Sequence, residues 1–203
     1  MYESIGCKHG DVHMLETLTA LIALADFLEL PETQPASEYI DGQILQKPMP
    51  KGKHSIIQAE LAAAINAVVR SRRRGLAFTE LRCTFDGRSI VPDIAVFSWE
   101  RIPKDESDEI ADRFLLAPDW VVEILSPDQS HAQLFKKLRH CFQHGTIAGW
   151  IIDPANKAVM IYRPGQEALL FDLEEMPDCP LPIPEFVGEL TLTSEVLFSW
   201  LAL

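Results

Sequence analysis

Two carboxylates interrupt stretches of the sequence that are otherwise apolar. Glu123 is the only charge in residues 120–125, and Asp93 stands directly before the apolar residues 94–97. Burying a lone carboxylate costs free energy, so each is expected to have a cationic partner or a metal ion. If the two segments are neighbouring strands, both carboxylates could bind Mg²⁺ or Mn²⁺, which activates water and stabilises charge on a phosphate. Spacing by itself favours a plainer alternative, in which salt bridges or backbone groups satisfy both side chains.

Three further residues are secondary candidates for the same site. Glu38 and Glu80 could each supply a third carboxylate, and His54 could carry a proton from the apolar side of its helix. Each also has a simpler interpretation, which the sequence favours. The two glutamates would then be surface groups, and His54, like Gln58 one turn further on, would be a hydrogen-bonded structural residue.

The pattern of apolar residues predicts which elements position these side chains. Helical spacing indicates helices over residues 15–28, 54–70, 131–144 and 194–201. Strand patterns cover residues 38–40, 43–45, 77–85, 90–97, 120–125, 149–153 and 157–163. Asp41–Gly42 and Asp86–Gly87 are typical of two-residue hairpin turns. The order predicts an α/β (α+β) fold with a mixed central β-sheet flanked by helices, in which residues 1–30 form an N-terminal extension and helix and residues 31–203 a single domain.

Composition restricts the class of protein. The 203 residues are 47% hydrophobic, which is ordinary for a globular protein, and no apolar run reaches the roughly 18 residues of a membrane span. The first ten residues lack the apolar core of a secretory signal, and the four scattered cysteines are expected to be reduced thiols, so we expect a cytoplasmic protein. A net charge of −12 argues against non-specific coating of nucleic acid, but it is compatible with a nuclease that holds a cation.

Two weaker patterns have a functional and a structural interpretation. Cys7, His9 and His13 could chelate zinc, but only three ligands are visible, and the surrounding residues show no structural pattern. The basic residues that follow the second predicted helix could contact phosphate, but a solvated helix end is the simpler interpretation. They are Arg70, Arg72, Arg73 and Arg74.

An ordered set of motifs resembles a known family. Pro92-Asp93 followed by Glu123-Ile124-Leu125 is similar to the PD-(D/E)xK nuclease signature. The motifs Glu38-Tyr39-Ile40-Asp41-Gly42, Ile124-Leu125-Ser126-Pro127 and Gly149-Trp150-Ile151-Ile152-Asp153-Pro154, with His54 opening a helix, resemble the domain-of-unknown-function 820 family. Its members, which abound in cyanobacteria, are described as endonucleases of the Uma-two type. The resemblance implies a restriction-endonuclease-like fold, Mg²⁺ (or Mn²⁺) as cofactor, DNA as substrate, and Asp93 and Glu123 as metal ligands.

The resemblance is incomplete at two positions. The signature expects lysine where Leu125 stands, and the family is known for placing this lysine on the next helix, where Lys136 and Lys137 lie. At about 100° per residue, Lys136 points away from the apolar face of that helix, whereas Lys137 lies on its flank. We therefore predict that Lys137 positions water or stabilises phosphate charge, although a surface lysine is the alternative. Gln133 stands where many relatives carry an acidic residue.

Two functions compete on these observations. The first is a metal-dependent endonuclease acting on DNA, with Asp93, Glu123 and Lys137 as its catalytic residues. The second is a catalytically inactive nuclease-like module that binds protein or nucleic acid, which the acidic charge, Leu125 and Gln133 favour. A carboxylate-pair glycosidase is disfavoured, because the scattered tryptophans show no sugar-binding pattern. A homodimer is expected only by analogy with related nucleases.

Overall fold

The structure is a computed structural model that describes residues 22–127 and 129–203. Its helices are α1 (Leu24–Leu28), α2 (Gly52–Val69), α3 (His131–Gln143) and α4 (Ser194–Ser199). Its strands are β1 (Ser37–Ile40), β2 (Gln43–Gln46), β3 (Gly75–Thr79), β4 (Cys83–Phe85), β5 (Arg88–Ile90), β6 (Ile94–Ser98), β7 (Trp120–Ile124), β8 (Ala148–Asp153), β9 (Ala158–Tyr162) and β10 (Leu169–Asp172). No helix in these two ranges is long and apolar enough to cross a membrane.

The strands form a large mixed sheet and a small antiparallel one. The large sheet has the order β10-β9-β8-β7-β6-β3, and only its central pair, β7 and β8, is parallel. The small sheet has the order β2-β1-β5-β4. The predicted α+β fold with a mixed central sheet is confirmed, but the sequence predicted neither the second sheet nor β10.

Helices cover both faces of the large sheet. On one face, α2 and α4 pack against Trp120, Val122 and Ile124 of β7 in the larger hydrophobic core. On the other face, α3 packs near Val121 in a second core. Because side chains alternate along a strand, Glu123 points to the α3 face, like Val121.

The two long predicted strands are each divided in two. Residues 77–85 are interrupted after β3, where Glu80 has a φ of 50°, and residues 90–97 are interrupted where Pro92 lacks a backbone donor. As a result, β3 and β6 join the large sheet, whereas β4 and β5 join the small one. These breaks leave Asp93 directly before β6.

The two hairpin turns agree with their sequences. Asp41 and Gly42 have φ values of 51° and 83°, and Asp86 and Gly87 have values of 44° and 73°. Positive φ at both central residues is what a tight two-residue hairpin requires, and Asp-Gly tolerates it well. Of the predicted N-terminal helix, residues 15–21 lie outside the described residues, and α1 is its described part.

Candidate active site

Asp93 and Glu123 lie side by side at one end of the large sheet. Strands β6 and β7 are antiparallel, and Ile94 lies opposite Val122. The same register places Asp93, directly before β6, opposite Glu123 of β7. The Ile124 N–H donates to Asp93 Oδ2 at 2.7 Å. The exposed fractions of Asp93 and Glu123 are 2% and 1%. Two carboxylates from segments far apart in the chain therefore share one buried position.

Lys137 of α3 joins this pair from above the sheet. Its Nζ lies 2.6 Å from Glu38 Oε1 and 2.8 Å from Glu123 Oε1, and only 5% of the residue is exposed. Lys136, its neighbour, is exposed. Of the two lysines, α3 therefore brings Lys137 into the cluster, and Lys137 also links Glu38 to it.

Glu38 is held in place at the end of the small sheet. Its Oε1 accepts a hydrogen bond from the Val91 N–H at 2.7 Å as well as one from Lys137. Glu80, the other candidate for a third carboxylate, has an exposed side chain. The backbone N–H of Glu80 donates to Asp93 O at 3.2 Å, so the residue is near the site although its carboxylate is not buried there.

Lys47 is a member of the cluster that sequence reasoning missed. Its Nζ donates to Asp93 Oδ1 at 2.6 Å and to Val91 O at 2.9 Å, and its side chain is 8% exposed. The residue directly follows the exposed strand β2, and its apolar neighbours give no periodic signal. Only the pairing of β1 with β5 reveals its role, because it brings Lys47 to Val91 and Asp93 between β5 and β6.

Two residues of α2 complete the surroundings of Asp93. His54 Nε2 lies 3.2 Å from Asp93 Oδ2, and Gln58 Nε2 donates to Asp93 O at 2.9 Å. Both side chains are buried. His54 Nδ1 is buried without a hydrogen-bond partner among residues 22–127 and 129–203. Both residues thus support Asp93, and one polar atom of His54 stays available.

Burial and charge act in opposite directions on the Asp93 carboxyl group. Burial works to raise its pKa, but the nearby ammonium group of Lys47 and the hydrogen bond from His54 outweigh burial. The pKa of Asp93 is therefore held well below its usual range. The group is ionised at neutral pH, and His54 Nε2 is accordingly expected to carry the proton shared with Asp93.

For Glu123, in contrast to Asp93, burial outweighs the attraction of the neighbouring cation, so its pKa is raised. Burial raises the pKa of Glu123 to about 7, and the charges of Asp93 and Glu38 act in the same direction, against the attraction of Lys137. Burial would lower the pKa of Lys137, but Glu123, Glu38 and Asp93 raise it above its usual range. The lysine is charged, and the cluster has one more carboxylate than ammonium groups.

The chemistry of the cluster fits a divalent cation. Carboxylate oxygens are the ligands preferred by Mg²⁺ and Mn²⁺, and the site gains an excess of negative charge when Glu123 ionises. Glu123 Oε1 is buried and forms an ion pair with Lys137 Nζ at 2.8 Å, without another partner within the described part of the chain. Asp93 and Glu123 would hold the ion. A third carboxylate, Glu38, is separated from them by Lys137.

A surface cleft of about 630 Å³ adjoins the cluster. His54 lines it, as do Leu125 and Ser126, which directly follow the residue that donates to Asp93. The first turn of α2, from Gly52, forms another wall. His54 therefore contacts both the buried carboxylates and the cleft through which a substrate could approach them.

The remaining sequence candidates have structural surroundings of their own. Gln133 forms a reciprocal capping box with Ser130 at the start of α3. Leu125 is half-buried and packs against the core on the α3 face. Arg72 pairs with Glu189 at the surface at 2.9 Å. The group Cys7, His9 and His13 lies outside the described residues.

The chain is similar to a protein family and to a solved structure that are both described as nucleases. A model of the family Uma2, described as "Putative restriction endonuclease", matches residues 24–193. A solved structure described as that of "a putative nuclease belonging to DUF820" from Anabaena variabilis is 57% identical in sequence. The match covers 89% of this chain and 99% of that chain, with a TM-score of 0.85. No protein of curated function matches the chain.

Proposed function

Because the chain belongs to the Uma2 family of restriction-endonuclease-like proteins, we propose that it is a metal-dependent endonuclease that hydrolyses phosphodiester bonds of DNA. The observation that carries the proposal is the convergence of Asp93, Glu123 and Lys137 beside a cleft. Proteins with restriction-endonuclease-like folds usually use a divalent metal, and this donor set is suited to Mg²⁺ or Mn²⁺.

Asp93 and Glu123 would hold the cation at the end of the large sheet. When bound, the ion would supply a Lewis acid that lowers the pKa of water and stabilises negative charge on the phosphate. Glu123 lies in β7, and Asp93, directly before β6, accepts a hydrogen bond from the Ile124 N–H of β7, so the separation of the two side chains varies little. Such rigidity favours catalysis, because the ligands need no reorganisation during the reaction.

Lys137 would stabilise charge on the substrate or position the attacking water. Its ammonium group is held by Glu38 and Glu123, and its raised pKa keeps it protonated. A fixed ammonium group in a buried environment interacts more strongly with a phosphate than one in water. This arrangement would replace the lysine that the nuclease signature has at the position of Leu125.

His54 is proposed to move a proton at Nδ1. Since Nε2 faces the ionised Asp93, the neutral ring has its lone pair on Nδ1, which accepts no hydrogen bond within the described residues. Nδ1 is buried in the free protein, so this role requires that a water or the substrate enters from the cleft beside His54; the ring could then take a proton and pass it to a leaving group.

The start of α2 is proposed to contact the phosphates of DNA. Lys51 and Lys53 line the cleft on either side of Gly52, the first residue of an 18-residue helix. Backbone N–H groups at a helix start attract anions, and a residue without a side chain lets a phosphate approach closely. Local positive charge here would offset the acidity of the whole chain.

The alternative is an inactive nuclease-like module that binds protein or nucleic acid. The observation in its favour is that Lys47 pairs with Asp93 Oδ1 at 2.6 Å, in a cluster that is almost fully buried. A metal would have to displace or share this contact. Under this alternative the ion pairs would be structural, and the cleft would bind a partner without hydrolysis.

Three further features belong to the proposal. We propose one domain over residues 31–203, a cytoplasmic location and a homodimer that cuts both DNA strands. Free, buried Cys83 and Cys141 are compatible with a reducing compartment. The dimer is proposed by analogy with related nucleases, since two sites are needed for two strands.

The test combines Mn²⁺ calorimetry with plasmid nicking on the same samples of wild type and Asp93→Asn. The substitution removes the charge but keeps the side-chain volume, and Asp112→Asn on the surface is the matched control. We expect Asp93→Asn to weaken Mn²⁺ binding and to reduce nicking about 100-fold or more, whereas Asp112→Asn behaves as wild type.

The outcomes separate the two functions. Mn²⁺ binding by folded wild type without nicking of supercoiled, linear or single-stranded DNA supports the inactive module. Undiminished nicking in Asp93→Asn would falsify the assignment of this residue. Circular dichroism of each variant establishes that the protein compared is folded.

A further inference from the structure

A second group of possible ligands lies at the opposite end of α3 from its N-cap. His140 lies in the last turn of α3 and His144 directly after the helix, with their rings 4.7 Å apart, and Asp86 of the β4–β5 turn meets them. One ligand atom from each lies within 4.8 Å of the others. Within residues 22–127 and 129–203, no other three histidine, cysteine or acidic residues come this close.

The hydrogen bonds of His144 determine which nitrogen faces Asp86. His144 Nδ1 lies 2.8 Å from the His140 carbonyl oxygen, which can only accept, so Nδ1 carries a proton. Nε2 is then the free nitrogen, and it lies 3.0 Å from Asp86 Oδ2. In the neutral ring these atoms are two acceptors in contact, which is unfavourable unless a proton or a cation is shared between them.

His140 adds an unsatisfied nitrogen to the same group. The residue is 5% exposed, and its Nε2 is buried without a hydrogen-bond partner among the described residues. A buried polar atom of this kind costs free energy unless something binds it. The ring is fixed by stacking on Phe85 at 4.8 Å, and a ring N–H donates to the backbone carbonyl of Phe85. Such outer contacts commonly orient histidine ligands of metals.

We propose that Asp86, His140 and His144 bind one Zn²⁺ ion and leave a fourth coordination position to water. Two imidazole nitrogens and a carboxylate oxygen are typical zinc ligands, whereas Mg²⁺ prefers oxygen ligands alone. Atoms bound to tetrahedral zinc at about 2.0 Å lie about 3.3 Å apart, close to the 3.0 Å between His144 and Asp86. The nearby Arg88 is itself paired with Asp41 at 2.8 Å.

The ion would act as a clamp between two parts of the fold. Asp86 belongs to the hairpin of the small sheet, whereas His140 lies in α3, which packs on the large sheet, and His144 is the residue directly after α3. Lys137 lies on the same helix, one turn before His140. Zinc would therefore stabilise the end of α3 beyond Lys137 without contacting the Asp93–Glu123 cluster.

The test is calorimetric titration of the full-length protein, without a histidine tag and after EDTA treatment, with Zn²⁺ and with Mg²⁺. The variants are Asp86→Asn and His144→Gln, because both side chains are accessible at the surface and their replacement preserves the core. We expect wild type to bind one Zn²⁺ at this site and to melt at a higher temperature with it. Each variant should lose more than the roughly 10- to 100-fold that an outer contact contributes.

The outcomes distinguish this site from the others. Unchanged Zn²⁺ affinity in both variants overturns the proposal and assigns any binding elsewhere, such as Cys7, His9 and His13. Absence of Zn²⁺ binding by wild type also overturns it and leaves Asp86 and His144 as an ion pair. Asp93→Asn must retain Zn²⁺ binding, whether or not the protein is a nuclease, and its loss there would contradict the proposed ligands.

Discussion

Lys137 contacts two buried carboxylates, whereas its neighbour Lys136 on the same helix is exposed and serves as the control. Replacing Lys137 by methionine leaves Glu38 and Glu123 without their shared cation. We expect Lys137→Met to lower the free energy of unfolding by about 3 kcal/mol and to abolish nicking, because an uncompensated buried charge is costly. Lys136→Met should change stability by less than about 0.5 kcal/mol.

Urea unfolding of both lysine variants at neutral pH measures this difference. A Lys137→Met protein as stable as Lys136→Met would mean that the ion pairs contribute little. Loss of nicking with retained stability would assign Lys137 a role in the reaction rather than in the fold.

Glu123 makes stability depend on pH in a direction that can be derived. Its pKa is raised from 4.5 to about 7 in the folded protein, so between these values the folded state binds more protons than the unfolded state. Its contribution to stability is therefore present below pH 4.5 and is lost as the pH rises through about 7. Glu123→Gln should remove this contribution to the pH dependence, whereas Glu60→Gln, at the surface, should not.

Urea unfolding of the metal-free proteins at pH 5 and pH 7 checks the sign. The free energy of unfolding at pH 5 minus that at pH 7 should be larger in wild type than in Glu123→Gln. An identical difference in both proteins would show that the pKa of Glu123 is not raised in the folded protein.

At the scale of single elements, the N-terminal end of α3 is stabilised by a capping box between Ser130 and Gln133. Ser130 Oγ accepts from the Gln133 N–H at 3.3 Å, and the Gln133 side chain accepts from the Ser130 N–H at 3.1 Å. Gln133 thus has a local structural role at the start of α3. This cap fixes the helix one turn before Lys137.

Ser130→Ala should lower the free energy of unfolding by about 1 kcal/mol, because the backbone N–H of Gln133 loses its side-chain acceptor. Hydrogen exchange should accelerate in the first turn of α3, and Ser71→Ala in an exposed turn serves as the control. Unchanged exchange at the start of α3 would show that packing against β7 and β8 is enough to hold it.

For the whole molecule, the two hydrophobic cores share the central sheet. Trp120 and Trp150 are buried in the larger core, with rings 4.8 Å apart, whereas α3 packs against the smaller core. Since β7 contributes to both cores, we expect them to unfold together. Tryptophan fluorescence and far-ultraviolet circular dichroism should then report the same urea midpoint. Separate midpoints would contradict the proposal of one domain over residues 31–203.

Local chemistry is the part of the fold that the sequence determined by itself. An apolar run around Glu123 predicts a buried strand, and the Asp41–Gly42 pair predicts a tight turn with positive φ. Helical periodicity distinguishes Lys137, on the flank of the apolar face of α3, from Lys136, which points away from that face. These features depend on neighbours within a few residues, so periodicity and turn preferences are sufficient to find them.

The tertiary structure alone decided which charges meet. Lys47 reaches Asp93 across 46 residues of sequence, and Lys137 reaches Glu38 across 99. From the sequence, Glu38 and Glu80 were both candidates for a third carboxylate, but only Glu38 is buried at the site, whereas Glu80 is exposed after the end of β3. Such contacts depend on how two sheets and two helices pack, and a buried charge selects its partner by distance in space rather than along the chain.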